Sequence, residues 1–236
     1  MSVTKAKKSE AETAERGQFW RATLLDTDSR LRVARGIAKT ETQASDEVFR
    51  TRQRRAHPDS PPPTISDGWG GIALAMLDVY GKPPPYGGRG RPPTRKQPGA
   101  DWQYLQMIKQ RDERGRVRAV KLHVVWGRPA QVLALLGTST AYLERSHLTS
   151  RLFNGRQARK TVAFSKNLHA YRAAATWEDG YYNLVRPHKS LRLPLPQALP
   201  QKWIRRTPAM AAGLTTSIWS VKELLTTLPL SRRINT

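Results

Sequence analysis

The sequence predicts an α/β fold, and three observations carry that prediction. Strand-length runs of branched and aromatic residues come in pairs, at 18–38 and again at 104–126. A helix-length run lies between them, and the longer helical segments follow them, from about residue 139 to 184. Strands first, helices packed afterwards and one helix between strands is the order of an α/β domain. At 236 residues, 38% hydrophobic and with seven Trp, the chain can bury one substantial core.

Residues 1–17 read as a charged, solvated segment. Gln18 to Leu25 (QFWRATLL) is the first strand run, DTDS a turn, and Leu31, Val33 and Ile37 alternate through Arg30 to Ala38, giving a β-hairpin. Thr40 followed by Gln43 resembles a capping box and opens a helix through about Ala56. HPDSPPP breaks the chain. Thr64-Ile65-Ser66 is a short apolar entry to Asp67-Gly68-Trp69, and the apolar residues from Ile72 to Val79 predict a helix stopped by Gly81. Residues 81–100 form a Pro/Gly/Arg-rich insertion. Tyr104 to Gln110 and Val117 to Trp126 predict two strands joined by RDERGR, and Pro129 opens a short helix ending at Gly137. A helix then runs from Ser139 or Thr140 through YLERSHLTSRLFNGR, and a second from about Ala163 to Leu184, stopped by Pro187. The expected organisation is the charged segment 1–17, a core over 18–192, and a C-terminal tail, 193–236, with small helices around PAMAAG and SVKELL.

Charge is the strongest functional signal. Lys and Arg number 41 against 18 Asp and Glu, a net +23, with a sequence pI near 11.1. Such a field attracts polyanions, and counterion release from phosphates rewards each neutralising cation. The absence of cysteine excludes a disulfide framework and thiolate zinc sites. No run approaches the roughly 18 apolar residues of a membrane span, and no signal peptide is visible, so a soluble, cytoplasmic protein with no membrane partner is expected.

Against that basic background the carboxylates are informative. Phosphodiester chemistry uses acidic side chains to gather divalent ions, and Mg²⁺ takes one or two carboxylates while keeping several waters. Asp67 stands where a short strand ends, a rigid platform for a carboxylate; the plainer reading is an Asp-Gly turn. Glu144 lies on a helix, with Ala141, Leu148 and Leu152 within roughly 80° of it and Arg151 within about 20° on the other side. That arrangement predicts a carboxylate at the edge of an apolar stripe, facing the body of the fold, with an exposed, ion-paired Glu as the alternative.

The run TAYLERSHLTSRLFNGRQARKTVAFSK followed by YYNLVRPHKSL resembles the C-terminal part of the catalytic domain of bacterial insertion-sequence DDE transposases, and ISDGW resembles their central Asp motif. The resemblance covers roughly residues 18–225. It implies an RNase H-like mixed sheet flanked by helices, and DNA cleavage and strand transfer in transposition with Mg²⁺ (or Mn²⁺). It implies Asp67 and Glu144 as the second and third catalytic, metal-binding acids, with Arg151 at the basic position seven residues later. Tyr182, Asn183, Arg186, Pro187 and His188 match the family's Tyr-Asn-x-x-Arg-Pro-His pattern, whose plain reading is an architectural helix end. The expected partners are double-stranded DNA, both transposon ends and target, and further copies of the chain when active, in a nucleoid-associated setting.

One departure concerns the first acid. The hairpin strand QFWRATLLD matches the family's second strand, so part or all of the first strand is expected to be lacking, with Met1-Ser2-Val3 as its stub and no end-recognition domain. Asp26 is the substitute candidate for the first acid, although its plainer reading is a turn residue. For DNA contact, Arg89, Gly90, Arg91 and Pro92 resemble an AT-hook core suited to a narrow minor groove. Arg151, Arg156, Arg159, Lys160 and Lys166 form a basic cluster suited to phosphates. Two functions are thereby predicted: a DNA transposase core, or a catalytically inactive DNA-binding remnant of one.

Overall fold

The computed structural model describes residues 19–56, 58–137, 140–157, 162, 164–196 and 202–227. They gather into two units, one running to Leu24 and over Val33–Leu168, the other over Leu25–Arg32 and from His169 onward. Residues 169–192 therefore group with the tail, whereas the sequence suggested one core over 18–192.

β1 (Trp20–Leu25) and β2 (Arg32–Ala38), which belong to the first unit apart from Leu25 and Arg32, form a two-stranded ladder. On β2 the Ile37 N–H donates to Glu47 Oε2 at 3.0 Å. Helix α1 (Glu41–Arg55) follows, and its N-cap Thr40 accepts the Gln43 N–H through Oγ1 at 3.2 Å. Gly36 allows the close approach of β2 to this helix: a Cβ there would sit 1.8 Å from the Ala44 carbonyl oxygen.

A mixed three-stranded sheet follows. β3 (Thr64–Asp67) runs parallel to β4 (Tyr104–Arg111), with Asp67 opposite Met107, and β5 (Val117–Trp126) is antiparallel to β4. β4 is central, so Tyr104 to Met107 are all buried. Helix α2 (Gly71–Tyr80) packs on α1, and Phe49, Ala75, Met76, Tyr80, Trp102 and Tyr104 form the main core. Its aromatic rings meet edge to face, Trp102 lying 5.1 Å from Trp126 and 6.4 Å from Tyr80.

Helix α3 (Pro129–Leu136) starts on its proline and ends at Gly137 in the left-handed region, φ 66°. Helix α4 (Ala141–Phe153) corrects an expectation. Its buried residues are Ser146 and Ser150, while Leu148 and Leu152 are 53% and 75% exposed. The apolar stripe that was expected to face the fold faces outward, because the polar face is the one turned inward.

The second unit holds α5 (Leu168–Gly180), which starts five residues later than expected; Ala163 lies outside the described residues. Before it, Ser165 donates its N–H to the Arg156 carbonyl and its hydroxyl to the Asn167 carbonyl. A π-turn, Tyr181–Val185, ends the helix. A short antiparallel pair, β6 (Leu193–Pro194) with β7 (Trp203–Ile204), was not foreseen. Two small helices complete the unit, α6 (Pro208–Ala211) and α7 (Val221–Thr226), the latter on a full Ser220–Glu223 capping box. No helix among the described residues is long and apolar enough to cross a membrane.

Candidate functional site

Asp67 ends β3, and the residues beneath it fix its position. Ser66 Oγ meets Tyr104 Oη at 2.7 Å, and Gln106 Nε2 donates to Tyr104 Oη at 3.0 Å and to the Trp69 carbonyl at 3.2 Å. Burial pushes the Tyr104 phenol up from its ordinary range, and the Asp67 charge adds to that rise while the Ser66 and Gln106 bonds oppose it. Asp67 Oδ1 accepts the Trp69 N–H at 3.3 Å, an Asx turn, and the Trp69 ring folds over Gly71, where a Cβ would lie 2.1 Å from it. The Asp-Gly-Trp turn is thus held from both sides.

Glu144 comes to the same place from the first turn of α4. Asp67 and Glu144 line one cleft of about 470 Å³, together with Lys109, Arg111, His147 and Arg151. Arg151 shares the cleft because seven residues are close to two helical turns. Glu144 sits at the rim, its side chain 57% exposed and paired with Lys109 Nζ. Of the two readings open for Glu144, the exposed, ion-paired one is observed, with Lys109 rather than a helix Arg as its partner, in keeping with the rotation of α4 described above.

Two participants were not visible in the sequence. Lys109, on β4, pairs with Glu144, on α4, so the contact joins two elements that lie far apart in the sequence. Glu41, in the first turn of α1, has its carboxyl held above the ordinary value by burial and then by the negative charge of Asp67. Nothing in their spacing along the chain signals either relation.

Asp26 belongs to the second unit, where its Oδ2 accepts the Ser29 N–H at 2.8 Å and the Ser29 hydroxyl at 2.5 Å. Its carboxylate closes the hairpin turn. Arg156 is exposed on a 3-10 turn, Gly155–Gln157, and Lys166 is exposed beyond it. Arg159 and Lys160 lie outside the described residues. The insertion is pinned at its base by a two-way bridge between Lys82 and Gln97, which carries Arg89, Gly90, Arg91 and Pro92 as exposed residues of a closed loop. Tyr86 Oη donates to the Gly90 carbonyl at 2.7 Å, and Gly90 takes φ 105°. The β4–β5 hairpin adds exposed Arg111, Arg114, Arg116 and Arg118, a density readable in KQRDERGRVR but not singled out from it.

Asp67 and Glu144 are hard oxygen donors of the kind that suits Mg²⁺, and two carboxylates serve one such ion. Among the described residues no group of three His, Asp or Glu is placed to hold a metal. Comparison with known protein families, with curated proteins and with solved structures finds no match.

Proposed function

We propose that this chain is the catalytic core of a DNA transposase of the DDE class, cutting DNA and transferring the free 3′ end to target DNA. The observation that carries the reading is the meeting of Asp67 and Glu144, distant in sequence, at one cleft with cationic walls. An RNase H-like fold is supported by a hairpin, a helix, and an acid-ending strand parallel to its neighbour.

Asp67 and Glu144 would hold Mg²⁺ or Mn²⁺, which when bound polarises a phosphodiester. Lys109 pairs with the Glu144 carboxylate and holds it at the rim of the cleft. Arg111 and Arg151 grip backbone phosphates beside the acids. The Arg89-Gly90-Arg91-Pro92 loop enters a minor groove, and the exposed arginines of the β4–β5 hairpin extend the phosphate-binding surface. Double-stranded DNA is the partner, at the bacterial nucleoid, and the active form contains several copies of the chain.

A second reading, a DNA-binding relative without strand-cutting activity, is favoured by the Lys109–Glu144 pair and by the lack of a third acid in a metal-holding group among the described residues. The experiment that tests both is DNA nicking and joining with Mg²⁺ or Mn²⁺, comparing the chain with Glu144→Gln. Metal-dependent products lost in the variant support the transposase; salt-sensitive binding with no products supports the second reading.

A further inference from the structure

We infer that the outer half of the β4–β5 hairpin is a two-stranded ribbon that enters the major groove of double-stranded DNA and reads base edges there through Gln110 and Lys121. β3 ends at Asp67, opposite Met107, so beyond that pair β4 and β5 have no third strand among the described residues. Every residue from Lys109 to Lys121 except Asp112 is exposed, on both faces of the pair. The ribbon therefore stands clear of the core, with even Val117 and Val120 left in solvent.

Its turn holds this shape through local bonds. Asp112 Oδ1 accepts the Arg114 and Arg116 N–H groups at 3.0 and 2.8 Å, Arg111 Nη1 donates to the Gly115 carbonyl at 2.7 Å, and Gly115 takes φ 76°. A ribbon formed in advance loses little freedom on binding.

Charge and dimensions select the partner. Among the described residues Lys109 is paired with Glu144 and Arg111 with the Gly115 carbonyl, whereas the side chains of Arg114, Arg116, Arg118 and Lys121 make no ion pair or hydrogen bond. Arg114 and Arg116 stand at the turn, Arg118 at the register slip beside Gln110 and Arg111, and Lys121 opposite Ile108. Cations on tip, edge and face suit a partner that surrounds the ribbon, as the phosphate walls of a groove do, better than a flat acidic surface. From Ile108 to Arg111 the ribbon rises about 10 Å before its turn. That reaches the floor of a major groove about 8.5 Å deep and 12 Å wide, while the minor groove, about 6 Å wide, is too narrow for two strands.

Lys109 lines the cleft, so strand alternation turns Gln110, Ala119 and Lys121 to the opposite face. Glutamine matches the N6 and N7 edge of adenine and lysine the O6 and N7 edge of guanine, and the small Ala119 between them lets the strands approach the bases. The inference rests on the reading of double-stranded DNA as the partner and not on the chemistry of Asp67 and Glu144.

Fluorescence anisotropy of the full chain at one salt concentration tests it. The probes are a plain duplex and the same duplex carrying glucosylated 5-hydroxymethylcytosine, which fills the major groove and leaves the phosphates and the minor groove unchanged. The modified duplex should bind about tenfold more weakly, and Gln110→Ala/Lys121→Ala should bind both about equally, near the weaker value. Both side chains are exposed, so the variant keeps the fold. Equal binding of the two duplexes by the parent chain would overturn the inference and leave DNA as the partner; binding of neither would overturn that reading as well. A variant that still favours the plain duplex tenfold would place the groove contact elsewhere and overturn it too. Duplex RNA bound as tightly as plain DNA would also overturn it, because the A-form major groove is too narrow to admit the ribbon.

Discussion

Asn183 grips the main chain of Arg32 from both sides, its Oδ1 accepting the Arg32 N–H at 3.0 Å and its Nδ2 donating to the Arg32 carbonyl at 3.1 Å. The Arg32 guanidinium, 1% exposed, then bonds Glu178 at 2.5 Å and Asp179 at 2.9 Å and lies 3.9 Å from the Tyr182 ring centroid. The His188 ring meets Tyr182 at 4.6 Å, edge to face. The Tyr-Asn-x-x-Arg-Pro-His segment is thus the clamp that holds the hairpin turn to the helix end, an architectural role. The π-turn contributes directly, since the bond from the Arg186 N–H to the Tyr181 carbonyl widens the helix where Tyr182 and Asn183 must reach Arg32.

Removing one side of that buried pair takes a compensating charge from the other. Arg32→Met should destabilise the chain by about 3–5 kcal/mol, because it removes the buried guanidinium that compensates the Glu178 and Asp179 carboxylates. Asn183→Ala should cost less, on the order of 1–3 kcal/mol, by freeing two main-chain groups. Denaturant unfolding checks both, and Arg32→Met should leave DNA affinity in the folded protein unchanged.

Gly36 marks the tightest approach in the first unit. Gly36→Ala forces α1 away from β2, since the new Cβ meets the Ala44 carbonyl. A loss of about 3 kcal/mol in thermal or denaturant unfolding is expected, as for other overpacked sites.

The acids near Asp67 give a pH signature. Glu41 is raised by burial and by Asp67, so the stability tied to its protonated form is present below the ordinary value of 4.5 and is lost as pH rises through the raised folded value. Glu41→Gln should therefore melt higher than the parent chain at pH 7, with the advantage fading below pH 4.5. In an Asp67→Asn background the advantage at pH 7 should shrink, which isolates the Asp67 contribution.

Arg89 and Arg91 project from the loop closed by Lys82 and Gln97. Replacing both by alanine should lower the slope of log affinity against log salt by about 2, one for each phosphate-competing cation. Fluorescence anisotropy on AT-rich and GC-rich duplexes should show the larger loss on the AT-rich one, as minor-groove contact requires.

Much of this was legible in the chain itself. The β1–β2 hairpin, the Thr40-capped helix and the β4–β5 pair follow from local alternation and capping chemistry, which act within a few residues. The rotation of α4 was not legible: Leu148 and Leu152 look like a core stripe, yet Ser146 and Ser150 are the buried residues. Periodicity identifies a helix's faces but not which of them a neighbour covers. Asp26 could be an acid of the site or a turn residue, and the Ser29 bonds decide for the turn. Lys109 and Glu41 went unnoticed because their relations to Glu144 and Asp67 arise only when strands and helices are assembled.

The joint role of Asp67 and Glu144 is tested most directly by strand cleavage of a supercoiled plasmid by the full chain, with Mg²⁺ or Mn²⁺ and with chelator. The account predicts nicked product that requires the metal and is lost in both Asp67→Asn and Glu144→Gln, while both variants still bind DNA. Tight, salt-sensitive binding by the parent chain with no nicked product under either metal would contradict it.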